Sequence, residues 1–246
     1  MKHTELIMGM PITIEIIDEG TKQQFNKLFA YFRRIDSRFS TYKSDSEIAK
    51  VNKGLVRTKW SEELKSVLDL CEQTRLDTTG FFNIIRDGKI DPSGLVKGWA
   101  INNASLLLIE QKIHNFYIEA GGDIQVHGYN RDKKPWTIGI RNPFNPDEII
   151  KTIAVSSEGV ATSGTYIRGQ HIYNPFKPGE AIEDVKSLTV IGPNIYEADR
   201  YATAAFAMGE RGIAFIESIA GLEGYMISSD KIATYTTGFE GYVVNA

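Results

Sequence analysis

The spacing of apolar residues changes along the chain, and that change limits the available architectures more than any other feature. Residues 6–17 place Ile12, Ile14 and Ile16 on alternate positions, the two-residue period of a strand. From about Thr21 the period lengthens, and Phe25, Leu28, Phe29, Phe32 and Ile35 fall on one face of a helix. The run Ser44, Asp45, Ser46, Glu47 reads as a capping box opening a short helix to Asn52. Ser61 starts another, with Leu64, Val67, Leu68 and Cys71 inward. Residues 80–88 form a loop with embedded aromatics, and a long helix runs from near Ser93 through Leu108. Beyond it the texture is predominantly β, with runs at 116–119, 124–127, 136–141, 149–155 and 185–191. Helices return at 196–208 and 211–219, and 224–244 is strand-rich. Helices interrupting largely antiparallel strands predict an α+β fold rather than a doubly wound sheet.

A chain of 246 residues, 42% hydrophobic, can bury a substantial core, and we expect one domain over 1–246, built as two intimately packed lobes. The formal charge of −3 and the absence of a Lys/Arg run argue against nucleic acid as a partner. The single cysteine, Cys71, rules out an internal disulfide and reads as a core thiol. No run is long enough to cross a bilayer and no signal core precedes the first strand, so the sequence-based expectation is a cytoplasmic protein.

Asp199 and Thr203 carry the chemistry most plainly. On an alanine-rich helix, residues four apart share a face, so a carboxylate and a hydroxyl aim at one point. Two hard oxygens so placed suit Mg2+; a cap or a solvated face is the alternative. Ser93 and Gly94 open a helix with Lys97 one turn in, a local phosphate cradle or simply a capped turn. Glu119, Ala120, Gly121, Gly122 and Asp123 lie between two strands, where paired glycines permit either close approach of a ligand or an ordinary tight turn.

Read in order with Met8-Gly9, Thr41-Tyr42, the Ser163-Gly164-Thr165-Tyr166 stretch and His171-Ile172-Tyr173-Asn174-Pro175, these motifs resemble the ApbE family of flavin transferases. The resemblance implies an ApbE-like, T-fold-like architecture with an FAD cleft between two lobes. It also implies an enzyme that moves FMN from FAD to a Ser/Thr side chain of an acceptor flavoprotein and releases AMP. FAD pyrophosphatase activity, or a non-catalytic FAD carrier, are the alternatives. By the same resemblance the Gly94 carbonyl, Asp199 and Thr203 hold Mg2+, and Asp199, Thr203 and Lys97 are catalytic. The flavin or its nucleotide end falls to Met8, Tyr42, Phe81, Phe82, Asn83, Lys97, Gly121, Gly122, Asp123, Ser163, Tyr166 and His171. Asn83 and Asn174 stand where the family has aspartate, and the interval between the Ser163 and His171 motifs is short.

Overall fold

The structure, a computed structural model, describes residues 1–164 and 172–244. Where the apolar alternation predicts one strand at 6–17, the chain makes two: β1 (Lys2–Ile7) and β2 (Met10–Ile16) pair as an antiparallel hairpin. Met8 and Gly9, at φ of 57° and 74°, reverse the chain. Apolar Leu6, Ile7, Met8 and Met10 run straight through this turn, so hydrophobicity does not mark it.

α1 (Lys22–Phe39) starts at a reciprocal Thr21–Gln24 capping box and buries Phe25, Leu28, Phe29, Phe32 and Ile35, as its period predicts. α2 (Glu47–Asn52) is capped by Ser46, which accepts the Ala49 N–H at 3.0 Å. Glu47 does not close a box; it accepts from the Ser61 amide and hydroxyl at 2.6 and 2.8 Å, fixing the start of α3 (Glu62–Asp77). In the following loop a small hairpin, β3 (Ile85–Arg86) and β4 (Lys89–Ile90), leads into α4 (Ser93–Glu110).

Six strands follow: β5 (Phe116–Ala120), β6 (Asp123–His127), β7 (Trp136–Asn142), β8 (Asn145–Val155), β9 (Gly159–Gly164) and β10 (Val185–Gly192). α5 (Ile195–Ala207) and α6 (Gly212–Glu217) precede β11 (Glu223–Ser228) and β12 (Ala233–Tyr235). Among the described residues, eight strands form one antiparallel sheet in the order β1-β2-β5-β6-β9-β10-β11-β12, while β7 and β8 pair separately. The α+β expectation holds. β9, however, falls where the sequence reads as a loop: its Gly, Ala, Ser and Thr residues lack the large β-branched alternation that marks a strand.

Strand alternation sends Ile12, Ile14, Phe116, Ile118, Leu188 and Val190 to a helix-covered face, where they meet α1, α4 and α5. The other face receives the β7–β8 hairpin, whose Trp136, Ile138, Ile140 and Ile153 close a second cluster with Val126, Val160 and Phe239. No helix among the described residues is long and apolar enough to cross a membrane.

A buried arginine ties α5 to α3. Arg200 donates to Asp77 at 2.9 Å, Thr74 at 3.2 Å and Glu197 at 2.9 Å, with its guanidinium 4.1 Å from the Tyr201 ring centroid. Burial by itself would raise the Asp77 pKa, but Arg200 and Gln73 hold it below the ordinary carboxylate value. Arg200→Ala should lower stability by about 3 kcal/mol, because it strands a partly desolvated carboxylate; urea unfolding measures this, and Asp77→Asn should cost less.

Candidate active site

The sheet presents two polar side chains to the helical layer from β6, and each is answered by a helix. Gln125 accepts the Ile195 N–H at 2.7 Å and, with the Asn194 cap accepting from Glu197 at 3.0 Å, fixes the start of α5. Asp123, only 1% exposed, pairs with Lys97 of α4 and accepts the Thr162 amide at 3.3 Å. These anchors set the rotation of α5, which places Asp199 against α4.

There the two helices nearly touch. A Cβ at Gly98 would stand 2.6 Å from the Asp199 Cβ and 2.7 Å from the Ile195 carbonyl, so only a residue without a side chain allows the crossing. The Gly98 amide then donates to Asp199 Oδ2 at 2.8 Å, and the Lys97 ammonium lies 3.8 Å from Asp199 Oδ1. Two buried carboxylates thus share one ammonium, one negative charge too many. Burial is the largest influence on Asp199 and pushes its pKa up to about 7; Lys97 opposes this, and Asp123 adds to it.

One turn along α5, the Thr203 hydroxyl donates to the Gly94 carbonyl at 3.4 Å. Gly94 and Thr203 open onto a cleft of about 470 Å³, including space open to solvent, lined also by Phe81, Asn83, Arg86, Ser93 and Tyr173. A Cβ at Gly94 would meet Thr203 Cγ2 at 3.2 Å and Phe82 Cε2 at 3.4 Å, so a bare Cα leaves room here. Among the described residues no group of three or more His, Cys, Asp or Glu is arranged to hold a metal. A cation here would instead take one carboxylate and neutral oxygens. The Gly94 carbonyl and Thr203 hydroxyl, 3.4 Å apart, are hard oxygen donors of the type Mg2+ takes, and a cation would offset the surplus negative charge.

The remaining sequence expectations fall in several places. The Ser93 amide donates to Asp91 Oδ1 at 3.0 Å, while those of Leu95 and Val96 donate to the Pro92 carbonyl, so most of the α4 N-terminus is satisfied internally. Phe81 lines the cleft, and Phe82 is buried behind it. Asn83 accepts the Ile85 amide at 2.8 Å, an Asx turn, and Asn174 does the same for Phe176 at 2.9 Å. Gly121 and Gly122, at φ of 59° and 96°, make the two-residue turn of the β5–β6 hairpin, the backbone role open to paired glycines. Ser163 is buried on β9, on the same face as Ala161. Met8 occupies the β1–β2 turn, and Tyr42 is 97% exposed, so it is not a core aromatic; neither lines the Gly94–Thr203 cleft. Tyr166 and His171 lie outside the described residues. Gln125, Gly98 and Arg200 escape sequence reading, since nothing in their local pattern announces a partner on another element.

Known proteins show the same arrangement of chain. The model of the ApbE family matches residues 8–87 and 85–226, and the protein belongs to that family. A FAD:protein FMN transferase of Vibrio cholerae is 34% identical over 139 residues, covering 52% of this chain and 42% of the relative. The alignment thus spans less than half the length of that curated relative. In fold, the chain superposes on the flavin transferase ApbE from Vibrio cholerae with a TM-score of 0.86 at 22% identity, covering 98% of both chains. The ApbE protein of Thermotoga maritima gives 0.87 at 20%, covering 100% of this chain and 99% of the other.

Two outcomes test the site. Gly98→Ala should force α4 and α5 apart, lowering the melting temperature measured by calorimetry. Asp199 carries a folded-state pKa raised from 3.8 to about 7, so the native state holds a proton that the unfolded chain releases. Its contribution to stability is therefore lost as pH rises through that window, and Asp199→Asn should flatten the fall in melting temperature of the cation-free protein.

Proposed function

We propose that the protein is a Mg2+-dependent FAD:protein FMN transferase. The observation that carries this reading is the Thr203 hydroxyl against the Gly94 carbonyl on one cleft, with the buried Asp199 carboxylate one turn back along the same helix beside Lys97. The family relationship and the names of its relatives support it.

In the reaction an acceptor Ser/Thr hydroxyl attacks the flavin-side phosphorus of FAD. The new O–P bond joins FMN to the acceptor, the bond to AMP breaks, and the hydroxyl proton is released. AMP departs as a phosphate and needs little help from an acid, so charge and alignment are what the site must supply. Mg2+ held by Gly94, Thr203 and Asp199 would neutralise the diphosphate and polarise its oxygens. Asp123 holds Lys97 against Asp199, keeping that carboxylate oriented, while the Gly98 amide fixes its other oxygen. Phe81 and Tyr173 supply aromatic surface to the cleft. Within this reading the chain acts as one domain of two lobes on a flavoprotein acceptor.

Incubation with FAD, Mg2+ and candidate flavoproteins should yield AMP and a covalent FMN adduct detectable by mass. Asp199→Asn, which keeps the volume of the side chain, should lower transfer by roughly 100-fold or more while the protein stays folded. Unchanged transfer in that variant would remove the mechanism; AMP release without adduct, across all acceptors, would instead indicate hydrolysis.

A further inference from the structure

The cleft must receive a diphosphate dianion, yet the cation that the sequence offers for it is occupied elsewhere. Lys97 is engaged by Asp123 and Asp199 in the layer between sheet and helices. Among the described residues lining the cleft, the cationic side chain is Arg86.

Arg86 is mounted with care for a residue on a two-residue strand. The Asn52 amide brackets Ile90, donating to its carbonyl at 2.9 Å and accepting its N–H at 2.8 Å, and the Asp91 amide closes on the Ile84 carbonyl at 2.7 Å. β4 is thereby held to α2, and the hairpin is closed at its base just before α4. On the cleft side, the Tyr173 hydroxyl donates to the carbonyls of Asn83 and Ile85 at 3.1 and 2.9 Å, and the Arg86 guanidinium lies over the Tyr173 ring, 5.2 Å from its centroid. An aromatic face restrains the guanidinium without consuming its N–H donors. Its ion pair with Asp87 is long, at 4.0 Å, and solvent-exposed, with Arg86 at 54%, so it competes weakly. Bidentate donation to phosphate oxygens is what such a fork does best.

We infer that Arg86, set on Tyr173, is a substrate-binding residue that takes a phosphate of the dinucleotide in the Gly94–Thr203 cleft. This rests on the transferase reading above and extends it to a residue on a different element from those that hold the cation.

The test titrates the wild-type protein, Arg86→Gln and Arg86→Lys with FAD, AMP and riboflavin, by calorimetry and flavin fluorescence. Arg86→Gln should bind FAD and AMP about 10-fold more weakly, the size of one lost charge-assisted contact, with Arg86→Lys in between. Riboflavin, which has no phosphate, should bind all three alike. Melting temperatures should stay together, since the side chain is more than half exposed. FAD and AMP affinities unchanged in Arg86→Gln would overturn the inference and leave the transferase reading standing. So would a loss confined to the rate of transfer to the acceptor, which would make Arg86 a docking residue for that protein. A wild-type protein that binds no FAD in the presence of Mg2+ would sink both.

Discussion

The ammonium of Lys97 between two buried carboxylates is the interaction on which the site depends. The central sheet contributes Asp123, α4 contributes the lysine and α5 contributes Asp199, so three elements are referenced to a single charge. Desolvated carboxylates repel each other and resist burial; one lysine neutralises one of them and leaves the other near the point of protonation. In the transferase proposed above, a divalent cation would offset that imbalance.

α5 is the element through which packing becomes chemistry. Its first amide is taken by Gln125 from the sheet, its second turn is clamped to α3 by Arg200, and its contact with α4 is as close as Gly98 permits. With both end and middle fixed, the faces carrying Asp199 and Thr203 have little freedom to rotate. Arg200 follows Asp199 directly in sequence but meets α3 while Asp199 meets α4, so adjacent residues of one turn tie the helix to two different neighbours.

Much of this was legible in the residues. The helical period of α1, the cap of α3 and the Asp199–Thr203 spacing are local signals, and local signals survive folding. What escaped is what depends on register. Asp123 gives no hint in sequence that it meets Lys97, and Gly98 reaches Asp199 across 101 positions only because the strand order brings α4 and α5 together. β9 was hidden for a related reason: the residues that let α5 lie on it are too small to announce a strand. Asn83 and Asn174, which stand where the family has aspartate, have backbone work of their own, each accepting an amide two residues on.

The β7–β8 hairpin packs on the side of the sheet away from the helices, clasped by the chain terminus through the Ile153–Val243 bridge and the Val244 bond to the Thr152 carbonyl. The sheet is therefore a partition with a working compartment on one side and a furnishing on the other. Residues 136–155 line none of the Gly94–Thr203 cleft, so a substitution on that outer wall reaches the inner chamber only through the sheet itself.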